Sequence, residues 1–85
     1  MIKLAPHLLF RTEADGTGIL FDPNDGQTFL LNRTSALICR CLERGAEKAD
    51  ILAEIAAHAD NVPETAAAEV DAFVETLRER GYLVS

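Results

Sequence analysis

The side chains with most chemical potential in this chain are Cys39, Cys41, His7 and His58, with Thr12, Thr34 and Ser35 as candidate hydroxyl nucleophiles. A thiol pair would offer redox chemistry or half of a metal site. At a spacing of two inside a helix, however, two cysteines point about 200° apart, so an unstrained mutual disulfide is not expected. The Cys-x-Cys pair also lacks the further ligands that close a tetrahedral zinc site. His7 and His58 are isolated, and the three hydroxyls belong to no motif that would activate them. A glycine-rich phosphate loop is absent as well. The expectation is reduced structural thiols, with Cys41 the more buried, a solvated His58, and a chain with no metal, cofactor or catalysis of its own.

Function without reactive groups has to lie in a surface, and the elements that build surfaces set it. Gly18–Leu31, GILFDPNDGQTFLL, organises the chain. Two short apolar runs face each other across Asp22-Pro-Asn-Asp-Gly-Gln27, a cluster of turn formers. Asp25-Gly26 supplies a place for positive φ, and Pro23 removes a ladder donor and belongs outside the pairing. The strands are expected near 8–12, 18–21 and 28–31, as an antiparallel meander in sequence order. Apolar residues occur in both phases of these strands. Leu9, Leu20 and Leu30 are expected on one face, with Phe10, Ile19, Phe21, Phe29 and Leu31 on the other. A small sheet apolar on two sides either covers its second face with its own ends or leaves an edge and its side chains for a partner.

Helical periodicity takes over after Leu31. Asn32 is a candidate N-cap for a helix near 33–44, with Leu37, Ile38, Cys41 and Leu42 as its stripe and Gly45 as its stop. A second helix is expected near 50–59, with Ile51, Leu52, Ile55 and Ala56 inward. Asn61-Val-Pro-Glu64 is a start signal for a third, near 63–80. There Ala66, Val70, Phe73, Val74 and Leu77 fall within about 100° of arc, opposite Glu64, Asp71, Glu75 and Glu79. Arg80-Gly81 ends that helix, and 82–84 is a terminal extended segment. The fold class is α+β and winged-helix-like: a three-stranded antiparallel N-terminal sheet, three helices and a short terminal strand, one domain over residues 1–85.

Fourteen acids against eight bases give a formal charge of −6. Residues 50–85 carry most of the acid excess, whereas residues 33–49 are locally basic. A surface of that overall sign repels a phosphate backbone. Met1–Pro6 is too short for a secretory signal, and no apolar run approaches the roughly 18 residues of a membrane span. A soluble, cytoplasmic protein is expected.

Order and spacing along nearly the whole chain carry a family resemblance. The lead-in Pro6, the strand Leu8–Thr12, the segment Gly18–Leu31, the junction Leu31-Asn32-Arg33-Thr34-Ser35-Ala36, the helix 50–59 and the ending Glu69–Leu83 together resemble the PqqD-like family. Its members are small peptide chaperones whose fold is also called the RiPP precursor recognition element. The resemblance implies capture of the leader of a ribosomally made precursor peptide and its presentation to a modifying enzyme, often a radical SAM enzyme. It further implies that the leader adds as a strand to Gln27, Thr28, Phe29, Leu30 and Leu31. The helix wall of the site would come from Val70, Phe73, Val74, Leu77 and Arg78, with Val74 or Leu77 opening to the cleft.

Two other classes compete. A winged-helix plan suits nucleic-acid binding, but the third helix carries Glu64, Glu69, Asp71, Glu75 and Glu79 against Arg78 and Arg80, which opposes phosphate contact. A small dimerising module is the second rival, because an unprotected strand edge invites a second copy of itself.

Overall fold

The computed structural model describes residues 1–58 and 64–84. The proposed helix start at Asn61-Val-Pro63 lies outside them. Within them the chain forms β1 (Lys3–Leu4), β2 (Leu9–Thr12), β3 (Gly18–Asp22), β4 (Gln27–Leu31), α1 (Arg33–Arg44), α2 (Lys48–His58), α3 (Ala66–Glu79) and β5 (Leu83–Val84). The architecture is the expected α+β plan, an N-terminal antiparallel meander β2-β3-β4 followed by three helices and a short terminal strand. The lead-in adds something the sequence did not announce: β1 pairs antiparallel with β5, Lys3 opposite Val84 and Leu4 opposite Leu83.

The β3–β4 turn is built by its own polar residues. The Asp22 carboxylate accepts from the Asn24 N–H at 2.9 Å, the Asp22 carbonyl from the Gly26 N–H at 2.9 Å, and Asp25 from the Gln27 N–H at 2.9 Å. Gly26 takes φ of 75°, where a side chain would be strained.

Register corrects the expected division of the sheet into faces. Phe10 stands opposite Leu20, and Leu20 opposite Phe29, so these three share one face. Directly opposed residues in an antiparallel pair project to the same side. Leu20, fully buried, therefore belongs with Phe10, Phe29 and Leu31 against the helices, while Ile19 and Phe21 join Leu9 and Leu30 on the outer face. Period alone fixes phase within a strand, but only register relates one strand to the next. Gly18 lets α1 press on the sheet: a Cβ there would lie 3.3 Å from the Ala36 Cβ and 3.0 Å from the Arg11 carbonyl oxygen.

Asn32 caps α1 as expected, its side chain accepting from the Ser35 N–H at 2.8 Å. The core gathers Leu4, Leu20, Leu31, Ile38, Cys39, Leu42, Ile51, Ile55, Val70, Leu77 and Tyr82 between sheet and helices. Ala56, expected inward, is exposed, and α2 buries only Ile51 and Ile55. At the end of α3 the Tyr82 N–H reaches back to the Leu77 carbonyl at 2.9 Å, with Gly81 at φ of 76°. That six-to-one closure turns the chain under the helix and delivers Tyr82 into the core.

Candidate peptide-binding site

β3 occupies one side of β4, and among the described residues no strand pairs with the other. Gln27–Leu31 thus presents alternate N–H and C=O groups outward, the arrangement that templates an added strand. Its side chains divide between the two faces. Leu31 is buried and Phe29 half-buried on the inner side, whereas Leu30 is 85% exposed on the outer side and Gln27 and Thr28 are exposed.

Beyond Leu31 the edge continues into a cleft between the first turns of α1 and one side of α3. This cavity of about 360 Å³ is lined by Asn32, Ser35 and Ile38 from one wall and Glu69, Phe73 and Thr76 from the other. At the opposite end the Arg80 guanidinium lies over the Phe29 ring, 4.5 Å from its centroid. Tyr82 holds the same ring edge-on, centroids 5.8 Å apart and planes 78° apart. The groove therefore runs from Phe29 and Arg80, past Leu31 and Asn32, to Ser35 and Glu69.

The expected helix wall divides in two. Val70, Val74 and Leu77 are 1%, 9% and 3% exposed and belong to the core, so neither Val74 nor Leu77 opens to the cleft. Phe73 is half-buried and lines the groove. Arg78 stands about 200° around the helix from Arg80 and pairs with Glu75, Nε to Oε2 3.4 Å, on the solvent side. The helix wheel placed Val70, Phe73, Val74 and Leu77 in one arc, but two neighbours meet that arc from different directions. The groove stripe is Glu69, Phe73, Thr76 and Arg80, with spacings of four, three and four. Its signal in sequence is a second stripe at helical spacing, mostly polar around one aromatic, beside the aliphatic one.

The thiols are free and both fully buried, Cys39 no less than Cys41. Burial, with Glu43 adding to it, pushes the Cys39 thiol up to about 12; burial also raises Cys41. Thiols so held are poor nucleophiles at neutral pH. Tyr82 is raised as well, by burial first and by the neighbouring Asp22 next. His58 is exposed, its Nδ1 3.1 Å from the Glu54 carbonyl. A separate hollow of about 460 Å³ opens on the other side of α1, beside Arg33 and Arg40. The Arg33 Nε there already donates to the Asp15 carbonyl at 2.8 Å.

Two solved structures share this architecture. One, described as TbiB1 in complex with the TbiA(beta) leader peptide, superposes with a TM-score of 0.77 at 21% identity over 95% of this chain and 93% of its own. The other, described as lasso peptide synthetase B1 complexed with the leader peptide, gives 0.75 at 26% identity over 99% and 98%. A search of curated protein sequences found no match. The profile of the family described as coenzyme PQQ synthesis protein D (PqqD) matches residues 17–83, from the start of β3 through α3 to β5, and the chain belongs to that family.

Proposed function

We propose that this protein is a non-catalytic adaptor that captures the leader of a ribosomally made precursor peptide by strand addition to β4 and presents it to a modifying enzyme. The observation that carries the reading is the continuity of an open strand edge, Gln27–Leu31, with a cleft that ends against α3. The leader peptides named in both similar structures support it. Main-chain pairing supplies affinity in this mode, and pockets for alternate side chains supply selectivity. Inward side chains of the peptide meet Phe29 and Phe73, and outward ones meet Leu30.

Magnitudes decide how the work is divided. About four inter-strand hydrogen bonds at a net ~0.5–1.5 kcal/mol each are largely offset by the ~2–5 kcal/mol of ordering a flexible peptide. Micromolar binding needs about −8 kcal/mol, so apolar side chains in the cleft must provide most of it. The modifying enzyme is expected to be of the radical SAM class, and the setting the cytoplasm. Free edges also pair with copies of themselves, so a dimer that peptide competes away fits the same edge.

A peptide drawn from a randomised display library, added to ¹⁵N-labelled protein, tests the site. Amide shifts should concentrate on Gln27–Leu31, Ala72, Phe73 and Thr76. A response centred on the β2 edge, Leu9–Thr12, would overturn it.

A further inference from the structure

The two ends of the groove carry opposite charges, and among the described residues neither is joined to an opposite charge. Five ion pairs join charged groups of the described residues, two further contacts bring His7 to Asp22 and His58 to Glu54, and none of the seven involves Arg80 or Glu69. Of the other charges on α3, Asp71 pairs with Lys48 at 2.8 Å and Glu75 with Arg78 at 3.4 Å, while Glu79, next to Arg80 and outside the groove stripe, joins none of these pairs. Arg80 sits at the Phe29 end, and Glu69 lines the cavity at the Asn32 and Ser35 end. They stand eleven positions apart, on α3 and at its C-cap, a rise of about 16 Å, which an extended peptide covers in about five residues.

Geometry makes Arg80 a receptor and not merely a lid. Its contact with Phe29 is a cation–π one, and among the described residues its side chain makes no hydrogen bond or ion pair, so its N–H donors are open to a carboxylate, which a guanidinium can meet bidentately. Tyr82 holds the Phe29 ring beneath it edge-on. Glu69 has the opposite effect at its own end. The Ser35 N–H there already donates to Asn32, which removes one helix-end donor that would otherwise welcome an anion.

We infer that the groove selects its peptide by charge position: Arg80 takes a carboxylate side chain beside Phe29, and Glu69 refuses one about five residues away. This deepens the proposed peptide-binding function and rests on it. Arg80 and Glu69 are then specificity-determining residues, reading where an acid stands in a strand that the backbone of β4 would otherwise bind without regard to sequence.

The test is a selection from a randomised peptide display library against the whole chain, followed by titration of one selected peptide. Selected sequences aligned on the strand should be rich in Asp or Glu at one position and depleted of both about five residues away. Arg80→Gln should weaken the acidic peptide about three- to fivefold more than its Glu-to-Gln counterpart, as an exposed ion pair allows. Arg80→Lys should restore part of that difference, and Glu69→Gln should lift the depletion. Bound peptides that perturb β4 but carry acids evenly along their length overturn the inference and leave the peptide-binding reading intact. A library that yields no peptide perturbing β4 overturns both.

Discussion

Two stripes of α3, about 90° apart, are built from residues that sit beside one another in sequence and yet answer to different demands. Ala66, Val70, Val74 and Leu77 are buried against the core, each small or aliphatic and without a polar atom. Glu69, Phe73, Thr76 and Arg80 border the groove, with one aromatic among groups that form hydrogen bonds or carry charge. The difference teaches how a short chain serves both needs. The aliphatic stripe anchors the helix, which leaves the adjoining stripe free to be shaped by an outside partner. Truncation on the first should therefore act on folding, and on the second on binding.

Leu77→Ala should show the largest effect. At 3% exposure it leaves a cavity, and about 2–5 kcal/mol of stability should go in urea melts. The protein that remains folded should bind a selected peptide within about twofold of the parent. Phe73→Ala comes next and reverses the pattern: binding should weaken at least about tenfold, or 1.4 kcal/mol, at a smaller cost in stability than Leu77→Ala. If the two variants lost stability and binding in the same proportion, α3 would have one face and not two.

Alkali sharpens the core side of the comparison. The Cys39 thiol titrates near 9 when unfolded and is pushed up to about 12 when folded. Below 9 both states keep the proton and no difference arises. Between 9 and 12 only the unfolded state loses it, so stability falls as pH rises. Cys39 alone should lower stability by about 1.4 kcal/mol between about pH 7 and pH 10. Cys41 and Tyr82, raised in the same direction, steepen the fall. Melts of Cys39→Ala at both pH values should show a smaller loss; an unchanged slope would mean the thiol is not held as described.

How far the sequence reached differs between the two stripes for a physical reason. Hydrophobic period identified the elements, and turn chemistry identified the hairpin, because Asp22, Asp25 and Gly26 act on their own neighbours. The cap at Asn32 was legible on the same ground. Face assignment across strands was not, since Leu20 joins Phe10 and Phe29 only through register, a non-local property. The groove stripe was missed because its residues resemble a solvated helix surface. Thr76 and Arg80 acquire meaning only when Asn32 and Phe29 stand opposite them, and no local pattern reports that. Pairing of Lys3–Leu4 with Leu83–Val84, the two ends of the chain, was invisible for the same reason.

Arg78 gives the smallest expected effect and the finest test of the division. It belongs to the same turn as Arg80, bears the same charge, and differs chiefly in direction. Its pair with Glu75 is exposed on both partners, the kind of contact worth about 0–0.5 kcal/mol on a helix. Arg78→Ala should therefore change stability by no more than about 0.5 kcal/mol and peptide affinity by less than about twofold. Arg80→Gln, titrated against the same acidic peptide at the same ionic strength, should cost about three- to fivefold. Charge acting only at a distance would make the two variants alike, because both remove one positive charge from the same end of α3. Salt separates the cases further, since loosely coupled exposed charges are screened beyond about 8–10 Å near physiological ionic strength. Equal losses that vanish together in high salt would show that the helix end attracts peptide as a diffuse patch, and the groove stripe would lose its claim to read position.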